Sequence, residues 1–327
     1  MSAPRSATVV AHANIALAKY WGKSDVARNL PAVPSLSLTL SGMRTTTEVS
    51  FLPELERDEL WLSGAPQAGK PLERASKLLS EVRALGKLQT FARVRSHNDF
   101  PTASGLASSA SGFAALALAA VQASELPVSI ERVSALARAA SASAARSLFG
   151  GYVELGASAE AAARVAPPEH WPLCMLVAVT SEAAKDTGST DGMQHTARTS
   201  PYYPVWVSDS PRLFAEVKSA VLAKDFERLA PAVEQSALMM HASMLAAAPA
   251  LIYFRPATLA VIEAVRAERR KGVAACFTID AGPHVKVLCT AEAAPELRRL
   301  LSELPGVLRV LESGPGPDAA GTTERVP

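Results

Sequence analysis

Residues 35–41 read Ser-Leu-Ser-Leu-Thr-Leu-Ser, a strict alternation that buries one face of a β-strand. A helix would scatter the same leucines around its axis. A second run rich in β-branched residues, 44–52, follows Ser41-Gly42, so the two segments read as a hairpin. Helical spacing then appears from Pro71 to Leu85, with Leu72, Ala75, Leu78, Leu79 and Val82 on one face. A strand over 91–96 leads to helices over 112–124 and 129–139, the second capped by Ser129 with Glu131 in its first turn. Leu173 to Thr180 is a buried strand. Helices follow over 211–223, 225–247 and 256–271, then strands over 273–279 and 285–289 around an Asp-Ala-Gly-Pro turn, and a helix over 296–304. Strands and helices mix in both halves, which predicts an α+β fold. The 327 residues suit two domains of about 100–200 residues each. The expected division is 1–180 and 181–312, with a Gly/Pro-rich tail over 313–327 expected to be disordered. The alternative to a boundary at 180 is a chain that crosses back to its first half at its end.

Charge and cysteine usage narrow the function classes. Lys and Arg number 33 against 31 Asp and Glu, a net charge of +2 with no basic block, which argues against a nucleic-acid partner. Cys174, Cys276 and Cys289 lie in apolar stretches without CxxC spacing and read as buried free thiols of a reducing compartment. The apolar run from Phe113 to Val121 is far short of the roughly 18 residues a membrane span needs. His12, Asn14 and Lys19 interrupt the N-terminal apolar stretch, so it does not read as a signal peptide. The expectation is a cytoplasmic protein with no membrane partner. The six histidines show neither HxxxH nor HxH spacing, and no metal ligand is expected among them.

Five segments could carry chemistry. Pro101 to Gly112 is a run of small residues entering an Ala-rich helix, where free N–H groups and the helix dipole favour an anion. It lacks the Gly-Lys-Ser/Thr of a Walker loop, and an ordinary close-packed helix entry explains it equally well. Ser141, Ser143 and Arg146 together suit a carboxylate or phosphate, although a Ser-rich helix start with a solvated Arg is the simpler alternative. Asp280, at a strand end before Gly282-Pro283, suits acid–base work or is a turn-forming Asp. Lys19-Tyr20-Trp21-Gly22-Lys23 could hold an anion or end an amphipathic strand. Lys185 to Met193 is a polar loop with hydroxyls suited to phosphate.

The order and wording of these segments carry more than any one of them. Asn14 to Lys23, Pro101 to Gly112, Ser141 to Gly151, Lys185 to Met193, Met240-His241-Ala242 and Asp280 to Pro283 together resemble the blocks of diphosphomevalonate decarboxylases, enzymes of the GHMP kinase superfamily. The resemblance runs from about residue 13 to about residue 311. It implies two lobes with the site in their cleft, MgATP as cofactor, diphosphomevalonate as small-molecule substrate and a homodimer. It places Tyr20, Trp21, Gly22, Lys23 and Arg74 in the substrate pocket. Ser141, Ser143 and Arg146 are assigned to the carboxylate and phosphate end, with Ser189 and Thr190 closing on the phosphates. Lys19, Ser104, Gly105, Leu106, Ala107, Ser108 and Ser109 fall to the nucleotide. Asp280 becomes the catalytic acid–base group, with Lys23 and Arg146 neutralising charge. The implied reaction phosphorylates the C3 hydroxyl, then expels phosphate and CO2 to give isopentenyl diphosphate.

Three stretches depart from the family pattern: Ala140-Ser-Ala-Ser143 for a Gly-Ser-Gly-Ser run, His284 for Asn, and Pro31 to Ser35 for a more polar stretch. Phosphomevalonate decarboxylation and C3 phosphorylation alone are the alternatives within the family. An inactive nucleotide or substrate sensor is the rival outside it, and Asp280, Lys23 and Arg146 argue against that rival.

Overall fold

The computed structural model describes residues 5–100, 108–183 and 186–325. The first half supplies β1 (Arg5–Ala18), β2 (Lys23–Asp25), β3 (Leu30–Pro31), β4 (Ser35–Leu52), β5 (Glu59–Leu62), β6 (Ala65–Pro66), α1 (Lys70–Gly86) and β7 (Phe91–Asn98). Helices α2 (Ser108–Ala123) and α3 (Ile130–Ala140), a 3₁₀ turn over Ala142–Leu148, and strands β8 (Tyr152–Leu155) and β9 (Ala163–Ala166) follow. The second half contains β10 (Cys174–Val179), α4 (Ser189–Thr199), α5 (Tyr203–Ala223), α6 (Phe226–Leu245) and α7 (Pro256–Arg270). It closes with β11 (Ala275–Ile279), β12 (Val285–Cys289), α8 (Ala294–Glu303), β13 (Arg309–Ser313) and β14 (Ala320–Arg325). No described helix is long and apolar enough to cross a membrane.

One sheet runs β14-β1-β4-β7-β5-β6, with β8 and β9 attached to the first half of β4. Alanine-rich α2 is buried along most of its length and packs with α1, α3 and this sheet in one core. Its small side chains let the helix axis come close to the strands. The second sheet runs β11-β12-β10-β13. One of its faces packs with α5 and α6 against Ile15, Leu17, Leu36 and Leu38 of the long strands, and α7 and α8 cover the other.

The expected hairpin at Ser41-Gly42 is a single 18-residue strand instead. Both halves of β4 pair antiparallel with β1, with a register break between His12 and Asn14. The extra residues of β4 find partners elsewhere in the chain: Ser41 N–H donates to Gly314 O at 3.0 Å, Gly42 N–H donates to Ser313 Oγ at 2.9 Å, and Leu40 bridges Pro315. A Gly-containing dipeptide that looks like a turn locally is thus a bulge completed by distant backbone.

The tail expectation is corrected for the same reason. Residues 320–325 form β14 and pair with β1 from Arg5 to Val10, so the chain does return to its first half. The boundary also moves: β10, placed before the division at 180, pairs with β12 and β13 and belongs to the second sheet. The tail crosses too close to the chain at Gly150 to admit a side chain there, since a Cβ would lie 2.5 Å from the Pro317 carbonyl carbon. Bonds that depend on it include Ser41 N–H to Gly314 O, Gly151 N–H to Gly316 O, Gly316 N–H to Thr39 O, Ala319 N–H to Leu148 O and Gly150 N–H to Asp318 Oδ1. Removing residues 314–327 costs these five bonds and the β14–β1 pairing as well, a loss of more than about 5 kcal/mol at about 1 kcal/mol per bond. The urea midpoint should fall accordingly; an unchanged midpoint would mean the tail adds nothing to stability.

Candidate active site

β1 and β11 end beside each other between the two sheets. Thr278 of β11 donates its hydroxyl to Ala16 O of β1 at 3.4 Å, and the next residues out are Lys19 and Asp280. The Lys19 ammonium lies 2.6 Å from Asp280 Oδ1, and Lys286 of β12 lies 3.0 Å from Oδ2. Each carboxylate oxygen therefore faces its own buried cation, while the carboxylate keeps about a quarter of its surface open, with 27% exposure. Burial opposes the charge on Asp280, but Lys19 and Lys286 outweigh it and hold the carboxyl well below the usual carboxylate range. Burial pulls the Lys19 ammonium down to about 8 even though Asp280 opposes the shift.

Arg146, in the 3₁₀ turn, is the second unusual charge. It is buried, yet among the described residues its hydrogen-bond partners are all neutral: Nε donates to Ser37 Oγ at 3.0 Å and Asn14 Oδ1 at 3.3 Å, and Nη1 donates to Ser35 Oγ at 2.6 Å. Burial lowers its pKa to about 10, partly offset by Tyr20 and Asp280. A buried guanidinium without a carboxylate partner is electrostatically suited to an anion. Nearby, the Tyr20 hydroxyl is buried without a partner among the described residues, and Ser141 and Ser143 oxygens lie 3.4 Å apart.

A third group of charges gathers around Lys23. Burial lowers its pKa, Arg74 lowers it further, and Asp191 in the first turn of α4 opposes both. Arg74 stacks 4.5 Å over the Phe113 ring and donates to Ala140 O at 3.0 Å, which ties it to the segment containing Ser141. Ser189 and Thr190, expected in a polar loop, are the first two residues of α4. Gly22 has φ of +107°, and a Cβ there would lie 2.0 Å from the Tyr203 hydroxyl, so this turn admits only glycine.

Two of the expected site residues make contacts that the sequence alone does not show. Lys19, expected at the nucleotide phosphates, has its ammonium engaged by Asp280. The Trp21 side chain, expected to line the substrate pocket, is buried with Val33, Met193 and Trp206, and Trp206 Nε1 donates to Trp21 O at 2.8 Å. Ser104, Gly105, Leu106 and Ala107 lie outside the described residues. Ser108 and Ser109 open α2, whose first turn contains no acidic residue, as an anion site at its N-terminus requires.

The sequence reading missed Lys286 and gave no role to His241. Lys286 interrupts the apolar run Val285-Lys-Val-Leu-Cys289, and a lysine in a buried strand needs an anionic partner. His241 Nε2 lies 3.2 Å from Asp280 O. His284 accepts from Thr180 N–H at 3.2 Å through Nδ1 and so braces the turn after Asp280. No cluster of three or more His, Cys, Asp or Glu suited to a metal occurs among the described residues. Mg²⁺ needs no such cage, because it commonly binds through one or two carboxylates and substrate phosphates.

An α+β chain of two large sheets, with a carboxylate and a buried arginine gathered where they meet, has a fold of the GHMP kinase type. The family model described as Diphosphomevalonate decarboxylase-like N-terminal domain matches residues 11–166, and the one described as Mevalonate 5-diphosphate decarboxylase C-terminal domain matches 175–311. The chain belongs to the diphosphomevalonate decarboxylase family. The Candida albicans diphosphomevalonate decarboxylase is 35% identical, with 98% of each chain covered. The solved structure of mevalonate diphosphate decarboxylase from Staphylococcus aureus is 36% identical, with a TM-score of 0.92 and 98% of each chain covered. MDDEF in complex with MVAPP, AMPPCP and magnesium is 38% identical, with a TM-score of 0.91, covering 98% of this chain and 100% of that one.

Proposed function

We propose that this chain decarboxylates (R)-5-diphosphomevalonate to isopentenyl diphosphate, consuming ATP. The observation that carries the reading is the meeting of Asp280, held between two lysines, with Arg146, a buried cation whose hydrogen-bond partners among the described residues are neutral. Arg146, with Ser141 and Ser143, binds the substrate carboxylate. Lys23 and Arg74 take the diphosphate, and Ser189 and Thr190 close on it from the start of α4. Tyr20 and the Gly22 backbone line the same pocket. Ser108 and Ser109 sit at the nucleotide end. MgATP supplies the phosphoryl group that turns the tertiary C3 hydroxyl into a leaving group.

Asp280 orients that hydroxyl and accepts its proton. So strongly stabilised a carboxylate is a weak base, which suits a loose phosphoryl transfer in which the proton leaves late. As phosphate departs, positive charge grows at C3 beside the Asp280 carboxylate, and electrons from the breaking C–CO₂ bond flow toward it. The family resemblance also supports a cytoplasmic location and a homodimer, the second of which light scattering on the purified chain tests.

Parallel reactions with MgATP and either diphosphomevalonate or phosphomevalonate, counting ADP and CO₂, test the reading. Equal ADP and CO₂ from the diphosphate support it. Preference for the monophosphate, ADP without CO₂, or neither product would overturn it. A second expectation concerns pH. Lys19 is cationic below about 8 and neutral above it, so kcat should fall on the basic side with an apparent pKa near that value. Because Asp280 stays ionised below the usual carboxylate range, it adds no acid limb above pH 4. A kcat profile that stays flat to pH 10 would remove Lys19 from the mechanism.

A further inference from the structure

Lys19 and Asp280 lie 261 residues apart and on different sheets, so something other than local chain geometry must set the distance between them. β11 is the edge strand of its sheet, which leaves its outer backbone groups to find partners elsewhere. α6 supplies them. Glu234 Oε1 accepts from Phe277 N–H at 3.3 Å while holding Arg269 at 2.6 Å, and His241 Nε2 donates to Asp280 O at 3.2 Å. Ser236 Oγ accepts from Lys19 N–H at 2.9 Å. One helix thus takes a main-chain group from each member of the Lys19–Asp280 pair.

We propose that His241 and Ser236 are positioning residues: by fixing the main chain at Asp280 and Lys19 from one rigid helix, they keep the carboxylate and ammonium at bonding distance and aim the carboxylate at the substrate hydroxyl. The inference rests on reading Asp280 as the group that acts on that hydroxyl. His241 is buried against the Phe254 ring, 4.6 Å away, and burial followed by the Lys19 charge holds its pKa down to about 3. It therefore stays neutral at working pH and donates to the carbonyl without titrating. The charged groups facing the carboxylate are Lys19 from the end of β1, Lys286 from β12 and, through its field, Arg146 from the 3₁₀ turn. α6 presents only neutral groups there, since Glu234 is engaged by Phe277 and Arg269.

His241→Phe keeps an aromatic ring but loses the donor, whereas His241→Gln keeps an N–H donor. In His241→Phe, kcat should fall about 10- to 100-fold, the effect of misplacing a reacting group by about 1 Å. KM for diphosphomevalonate should hold, and the basic limb should move to lower pH as Lys19 loses its anion. His241→Gln should recover most of the rate and return the limb, and Ser236→Ala should lower kcat in the same direction. Wild-type kcat and pH profile in folded His241→Phe would overturn the proposal, as would a folded His241→Gln no better than His241→Phe. If His241→Phe fails to fold, Ser236→Ala decides, and unchanged kcat there overturns it. Asp280→Asn separates the two readings: full activity in that variant removes the catalytic reading itself, whereas a dead Asp280→Asn beside a fully active His241→Phe removes only the positioning role.

Discussion

Asp280→Asn lowers kcat by about 10³-fold or more, because the amide cannot accept the hydroxyl proton and no longer offers negative charge to the developing cation. Nucleotide affinity, measured by equilibrium binding of an ATP analogue, stays close to wild type. The substitution also leaves Lys19 and Lys286 facing an amide. Its oxygen can accept from one ammonium, but its NH₂ then points at the other. Breaking a buried charge pair costs roughly 3–5 kcal/mol, and the lower end applies here because the carboxylate keeps some exposure. Stability should therefore fall by about 3 kcal/mol, with Lys19 relieving part of the strain by losing its proton at lower pH. Urea denaturation reads the stability change and single-turnover phosphoryl transfer reads the chemistry. A variant that keeps turnover within tenfold of wild type would remove Asp280 from the mechanism.

What could be read from the sequence follows the range of the forces involved. α3 and α6 have sharp caps: Ser129 accepts from Arg132 N–H and Asp225 accepts from Arg228 N–H, so both starts are visible locally. The Gly/Pro-rich tail and the Ser41-Gly42 bulge complete each other across the fold, and neither is intelligible alone. α4 carries Ser189, Thr190 and Asp191 in its first turn, without the apolar stripe that would mark it as a helix. The site shows the same division. Asp280 stands out because a carboxylate ends an apolar strand before a Gly-Pro turn. Its partners come from β1, β12 and α6, and only the fold brings them together. Lys286 could have been found by asking what anion a lysine inside an apolar strand requires. The packing of Trp21 against Val33, Met193 and Trp206 is likewise set by the fold, and no local pattern shows it.

Arg146→Lys separates substrate binding from chemistry. The guanidinium fixes its orientation through Ser35, Ser37 and Asn14, which take Nε and Nη1 and, among the described residues, leave Nη2 for an incoming carboxylate. A lysine ammonium must satisfy those same oxygens or turn to the substrate, because it cannot fork. Losing a buried charge-assisted bond to the substrate costs roughly 2–5 kcal/mol, a fall in kcat/KM of about 30-fold to several thousand-fold. Where that loss appears depends on when the charge exists. The carboxylate is fully anionic in the ground state and loses its charge as it becomes CO₂, so Arg146 holds the substrate at least as tightly as the transition state. The loss should therefore fall mainly on KM, whereas Asp280→Asn should act on kcat. Steady-state kinetics on the two variants make the comparison directly. If Arg146→Lys instead lowers kcat and leaves KM unchanged, its partner is the departing phosphate and not the carboxylate.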